Sequence, residues 1–228
     1  MNKLPRWPSG QQAVSLECPA SCEIRHIPVK RIFDILFSSL VLVIGFPVYL
    51  AIGVAVRLTS NGKTIYSQER IGRGGKIFKC YKFRTMHPDA DLRLKEILDS
   101  NPEYRKEWDH SHKLKNDPRI TSLGSFLRKT SLDELPQFWN VLKGDLSVVG
   151  PRPIVKEELD KHLKTKANKI LSIRPGLTGP WQVSGRSNMS YSERLELDEF
   201  YIDNQSFWWD LSLIIKTVPA MISPKGAY

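Results

Sequence analysis

Cysteine is scarce in this chain of 228 residues: only Cys18, Cys22 and Cys80. Three thiols so placed build no disulfide framework, and a reducing, cytoplasmic setting is the default. Cys18, Cys22 and His26 have the spacing of three metal ligands on one helical face. Pro19 and Pro28 argue against that helix, so residues 1–29 read as a loosely ordered tail. The same residues make a poor signal peptide, because the apolar run waits until Ile32, behind Glu17, Glu23, Arg25, Lys30 and Arg31. No repeat or low-complexity tract stands out. Acidic residues are also in deficit, 24 Asp and Glu against 34 Lys and Arg, a net charge of +10. That balance favours anionic partners. Neither zinc-finger spacing nor another nucleic-acid recognition motif accompanies it, so no nucleic-acid partner is expected.

What the chain does have is one long uncharged run, Ile35 to Val56. As a continuous helix its roughly 22 residues would span about 33 Å, enough to cross a bilayer. Two features argue for a bent, re-entrant path instead. Pro47 lies near the midpoint, where it removes a backbone donor and clashes with the Val43 carbonyl, and Gly45 weakens the helix further. Both flanks are basic, Lys30 and Arg31 before and Arg57 and Lys63 after, which places both ends on the cytoplasmic side. The alternative is an ordinary buried core helix, though few soluble helices run this long without charge.

Beyond it, Thr64 to Arg70 and Lys76 to Arg84 read as the strands of a β-hairpin around Gly72 to Gly75. A strand, not a helix, follows those glycines, so they serve a tight turn rather than a phosphate loop. Lys82 and Arg84 share a strand face and are candidate phosphate ligands. Helices are expected over Asp89 to Leu98, Ser122 to Lys129 (Leu123, Phe126 and Leu127 inward) and Val155 to Ile173. The last ends in a type II turn at Pro175 and Gly176. Asn101 to Pro118 is expected to be irregular in part. Ser190 and Glu193 form a capping box for a helix running through Tyr201. Phe207 to Ile222 is apolar but too short to span, and its Trp208 and Trp209 suit either a core or a membrane interface.

The central stretch S-L-D-E-L-P-Q-F-W-N-V-L-K-G-D-L-S-V-V-G-P-R-P, Ser131 to Pro153, sets adjacent carboxylates, Asp133 and Glu134, between Arg128 and Arg152. Ser131 and Glu134 have capping-box spacing, which needs no catalysis. Pro136 favours a helix start of its own, leaving both carboxylates just ahead of it, where anions bind well. Chemically, one carboxylate can attack phosphorus while the other holds a divalent cation. Arginines neutralise the remaining phosphate oxygens. Pro151 and Pro153 hold Arg152 extended.

Together with K-R-I-F-D (Lys30 to Asp34), Y-K-F-R-T-M (Tyr81 to Met86), R-P-G-L-T-G (Arg174 to Gly179), W-Q-V-S-G-R (Trp181 to Arg186) and E-L-D-E-F-Y (Glu196 to Tyr201), this stretch resembles the monotopic phosphoglycosyl transferases, the bacterial sugar transferase family. The resemblance covers nearly everything from Lys30 onward. It implies an α+β, mainly helical fold: a small β-hairpin and amphipathic interfacial helices around a cytoplasmic catalytic core. Residues 30–60 would be a re-entrant membrane helix broken at Pro47, and 61–228 the catalytic domain. It implies transfer of a sugar-1-phosphate from a nucleotide diphosphate sugar, expected to be a UDP-sugar, to polyprenyl phosphate at the bacterial inner membrane. By resemblance Asp133 is the nucleophile and Glu134 holds Mg²⁺. Lys82, Arg128, Arg152, Arg186 and Asp198 would bind substrate, joined by Arg84 on the strand-face reading above. Without the multi-span N-terminal region of larger members, the chain is expected to be the minimal catalytic form. The family often has Ser before the breaking proline; Phe46 stands here and cannot satisfy a freed carbonyl. The rival expectation is a non-catalytic peripheral membrane protein that binds anionic lipid through its basic surface.

Overall fold

The computed structural model describes residues 28–60, 62–111, 114, 116–159, 163, 166–184 and 189–222. The spacing of Cys18, Cys22 and His26 lies outside the described residues, as does nearly all of the expected tail. The described chain opens with α1 (Pro28–Ile44) and α2 (Phe46–Thr59), bent by 62°. Among the described residues no single helix is long and apolar enough to cross a membrane, while this bent pair qualifies on length and composition together. The break falls at Gly45, slightly before the expected proline. Gly45 donates to the Val41 carbonyl at 2.8 Å, and a Cβ there would meet that oxygen at 2.5 Å. Pro47 then sits in the first turn of α2, where its missing N–H leaves no intrahelical bond unmade. Phe46 needs no polar side chain in this geometry and stays exposed.

The hairpin forms as expected, β1 (Ile65–Ile71) antiparallel to β2 (Ile77–Phe83), with a 3₁₀ turn at Arg73–Gly75. Gly74 and Gly75 take positive φ, the conformation that glycine supplies at little cost. Next come α3 (Ala90–Ser100) and α4 (Pro102–Ser111), the latter covering much of a stretch expected to be irregular. The apolar positions of α3 do not reach a core: none is buried, and Leu92 is 68% exposed. In α5 (Ser122–Lys129) Leu127 is buried and Leu123 packs beside it, but Phe126 points outward, against expectation.

A 3₁₀ turn, Leu132–Glu134, leads into α6 (Gln137–Lys143), which ends at Gly144 in the left-handed region. Beyond it, β3 (Ser147–Val149) pairs in parallel with β4 (Gly176–Thr178). The expected type II turn at Pro175 and Gly176 is replaced by this strand, and Gly176 lacks the positive φ that turn requires. Bare glycine is needed there because a Cβ would meet the Gly150 nitrogen at 2.1 Å. The helix expected over Val155 to Ile173 is described as two short pieces, α7 (Lys156–Glu158) and α8 (Ala167–Ile170). Then follow α9 (Pro180–Ser184), α10 (Tyr191–Asp203) and α11 (Phe207–Ile222). The Ser190–Glu193 capping box closes as read from the sequence.

The main core gathers Ile71, Phe78, Val141, Leu146, Val149, Leu163, Ile170 and Tyr201 around the parallel pair. A smaller cluster, Ile52, Val56, Phe83 and Leu127, takes in Tyr49, Leu132 and Leu135. It ties α2 to the turn bearing Asp133 and Glu134. The first turns of α1 are pinned by charge. Lys30 donates to Asp210 at 2.5 Å, Arg31 to the Val141 and Leu142 carbonyls at 2.6 and 2.9 Å, and the buried Asp34 carboxylate accepts from Ser147 Oγ and Val148 N–H. One face of α11 belongs to the core, with Asp210 and Leu213 buried, while Trp208 is 76% exposed.

Candidate active site

Asp133 and Glu134 lie in the 3₁₀ turn just ahead of α6. The turn exists because Ser131, at φ 56°, takes a left-handed conformation uncommon for a side-chain-bearing residue, and Pro136 starts the next helix. The Ser131–Glu134 capping box is not formed: Ser131 makes no side-chain cap bond. Glu134 instead reaches Lys82, whose Nζ donates to Oε1 at 2.5 Å. Leu132 and Leu135, either side of the pair, pack on the smaller cluster, and the Tyr49 hydroxyl donates to the Leu135 carbonyl. Asn140 fastens α6 to β2, accepting from Tyr81 N–H at 3.0 Å and donating to the Lys79 carbonyl at 2.7 Å.

The two carboxylates sit in different environments. Asp133 is 7% exposed, and burial pushes its carboxyl up to about 6; Lys82 and Arg128 pull the other way, and Glu134 adds to the rise. Around Glu134 the crowding protein also opposes the charged form. The Lys82 ion pair, with Arg152 and Arg70 beyond it, outweighs that and holds it below its ordinary value. Its side chain keeps 41% of its surface accessible. One acid is therefore a desolvated carboxylate whose protonation changes near neutrality, and the other is a half-buried anion held by its lysine.

Positive charge continues outward. Arg128 donates from Nε to Thr85 Oγ1 at 2.9 Å, and burial lowers its guanidinium's pKa while Asp133 supports the charge. Arg152, desolvated and repelled by Arg194 and Arg70, lies over the Trp181 ring at 5.1 Å. Arg194 lies over the same ring at 5.6 Å and over Tyr191 at 4.5 Å. Asp198 is buried beside them, pushed up to about 7 by desolvation against Arg194, the Arg152 N–H and the Arg152 charge. Among the described residues Asp198 Oδ1, Trp181 Nε1, and Arg194 Nε and Nη2 are buried with no hydrogen-bond partner. Arg152 is thus repelled by two neighbouring arginines, Arg194 pairs with Glu158 at 3.8 Å, and the unpartnered buried groups beside them have hydrogen-bonding capacity to spare.

Of the residues singled out in the sequence, Lys82, Arg128, Asp133, Glu134, Arg152 and Asp198 form this continuous chain of charge. Arg84 does not join it; its Nε donates to the Lys63 carbonyl at 2.7 Å. Arg186 lies outside the described residues. Arg70, Thr85 and Arg194 were missed. Arg194 was legible, four residues before Asp198 on one helix face, but Arg70 and Thr85 are brought in only by strand pairing and by the approach of α5. Among the described residues no three acidic, His or Cys groups gather in a metal-binding cluster. Magnesium asks for less, one or two carboxylates plus substrate phosphates, and Glu134 pairs with Lys82 through Oε1 alone while its side chain stays partly accessible. The residues present fit such an ion.

Residues 25–224 match the family model described as bacterial sugar transferase. An uncharacterized sugar transferase of Haemophilus influenzae is 49% identical over 200 residues, 88% of this chain and 42% of that protein. The undecaprenyl-phosphate galactose phosphotransferase of Salmonella typhimurium is 46% identical over 200 residues, again 88% of this chain and 42% of that protein. The exopolysaccharide production protein ExoY of Rhizobium meliloti is 45% identical over 199 residues, 87% of this chain and 88% of that protein. The chain thus spans less than half the length of the first two relatives and most of the third.

Proposed function

The chain belongs to the bacterial sugar transferase family, and we propose that it moves a sugar-1-phosphate from a UDP-sugar to undecaprenyl phosphate through a covalent intermediate on Asp133. The observation that carries this reading is the division between the two carboxylates. A buried carboxylate with a raised proton affinity is poorly solvated and reactive once ionised, whereas a half-buried one kept ionised by its lysine is suited to holding cations.

In the first half-reaction an Asp133 oxygen bonds to the sugar-bearing phosphorus. The bond from that phosphorus to the bridging oxygen breaks, and UMP leaves with the electron pair. In the second, an oxygen of the polyprenyl phosphate attacks the same phosphorus. The aspartyl–phosphorus bond breaks, freeing Asp133 and yielding polyprenyl diphosphate sugar. Lys82 and Arg128 favour the ionised Asp133 between turnovers, while Arg152, Arg70 and Arg194 offer donors to the diphosphate oxygens. Glu134 would hold Mg²⁺, which supplies Lewis-acid neutralisation of phosphate charge when bound. We place the α1–α2 pair in the bacterial inner membrane as a re-entrant hairpin, with the remaining domain on the cytoplasmic face. The packing of Leu132 and Leu135 on α2 supports that placement, since it sets the depth of Asp133 relative to the bilayer. The relatives' names point to galactose or glucose as the sugar and to exopolysaccharide production as the setting.

The test is UMP release by the purified chain with Mg²⁺, undecaprenyl phosphate and a panel of UDP-sugars. Release with at least one donor, lost on Asp133→Asn by about 10⁴-fold or more, is the expected result. Release that survives the substitution contradicts the assignment of the nucleophile. No release from folded protein with any donor favours the non-catalytic lipid-binding alternative.

A further inference from the structure

At the opposite end of α6 from the carboxylate pair lies a second cationic cleft. Lys30, Arg31, Asp34, Arg73, Ser147 and Arg174 line it. The helix between the two places is seven residues, about 10 Å, so the cleft is separate from the site above. Two of its cations have ordinary structural work. Lys30 is neutralised by Asp210, and Arg31 spends both terminal nitrogens on carbonyls ending α6. The other two do not. Arg174 uses only Nε, on the Gly144 carbonyl at 2.9 Å, and Arg73 makes no side-chain hydrogen bond or ion pair among the described residues. Arg73 is delivered by the glycine-rich turn between β1 and β2, which Gly74 N–H fastens to the Leu171 carbonyl at 2.8 Å. The turn thus presents a guanidinium rather than a phosphate-cradling backbone. The lone acid, Asp34, is already engaged by Ser147 and Val148. Burial lowers the Arg174 pKa first, and the like charges of Arg73 and Arg31 lower it further. Asp34 is the one carboxylate set against four cations in the cleft lining, and it offsets only part of the repulsion at Arg174, an imbalance that a mobile anion would relieve.

The rim says which anion. Lys30 and Gln205 also line an adjoining cleft with Val29 and Phe207, and exposed Trp208 follows on α11. Apolar residues beside a cationic cleft, at the point where α1 leaves the folded core, match a ligand with a charged head and acyl chains. We propose that this cleft binds the phosphate of an anionic phospholipid, with Arg73 and Arg174 as its donors. The proposal rests on α1 and α2 entering a membrane.

Native mass spectrometry of the chain in neutral detergent, with equimolar phosphatidylglycerol and phosphatidylcholine, tests it. Wild type should retain phosphatidylglycerol preferentially. Arg73→Gln should weaken that retention about fivefold with an unchanged melting temperature, because the side chain holds nothing else. Arg174→Gln should weaken it similarly, and Lys95→Gln, a remote exposed cation on α3, should leave it unchanged. Equal retention of both lipids overturns the proposal, as does equal loss with Lys95→Gln. Displacement of the lipid by inorganic phosphate at equal concentration overturns the lipid source. A chain that associates with no vesicle and retains no lipid overturns the membrane reading beneath it, a result distinct from binding both lipids alike.

Discussion

Burying a carboxylate beside a lysine and an arginine ties reactivity to pH. The rate of Asp133 chemistry requires its ionised form, so turnover should fall on the acid side with a midpoint near pH 6. Glu134, held low by Lys82, should not contribute to that limb. A kcat/KM profile measured from pH 5 to 8, in about half-unit steps, checks it, because that ratio reports the ionisation of the free enzyme. Stability should run the other way. Folded Asp133 keeps its proton up to about pH 6, whereas an unfolded aspartate loses it near pH 4. Raising the pH between these values therefore destabilises the fold, by about 3 kcal/mol once complete. Asp133→Asn should accordingly melt higher than wild type at pH 8 and show little difference near pH 4. Cys80 makes a further residue-scale test: buried, with its thiol pushed up to about 11, it should resist alkylation at neutral pH until the chain unfolds. The sequence exposed Asp133 and Glu134 through their adjacency and their arginines. It could not reveal Arg70 or Thr85, because their place depends on partners far along the chain.

Local pattern revealed an element wherever one face or one turn decided it. The hairpin, the α5 boundaries and the Ser190–Glu193 cap were legible for this reason. Errors arose where tertiary contact decided: Phe126 faces outward, and Gly176 enters a parallel strand with β3 that no local signal announces. Close backbone approach also explains Gly124 in α5. A Cβ there would lie 2.0 Å from the Thr85 carbonyl oxygen, with no flexible side chain able to yield. Gly124→Ala should destabilise the protein by about 3 kcal/mol and displace Thr85, the acceptor that orients Arg128. Denaturant melts should register the first effect. A kcat loss at saturating substrate in the fraction that remains folded should register the second.

For the whole molecule, the bent pair and the charge chain form one unit. The K-R-I-F-D segment grips the core through Lys30, Arg31 and Asp34, while α2 holds the Leu132 and Leu135 flanks of the carboxylate turn. A hairpin with both ends on one side predicts a labelling pattern. With Cys18 and Cys22 replaced by serine, cysteines placed at Lys3 and Lys63 should both resist an impermeant maleimide outside intact cells. Both should react after permeabilisation; reaction at one end alone contradicts the hairpin. The apolar run made this bend legible, although Gly45 rather than Pro47 marks the break.

In the proposed mechanism Asp133 carries the sugar phosphate between donor and acceptor. Intact-protein mass spectrometry, after mixing the chain with Mg²⁺ and the active UDP-sugar in the absence of polyprenyl phosphate, tests it most directly. A covalent route through Asp133 releases UMP in a burst of one per chain and leaves an adduct of sugar-phosphate mass on the peptide bearing Asp133, with neither expected for Asp133→Asn. Product formed only when acceptor is present, with no burst and no adduct without it, would mean direct transfer and would contradict the account.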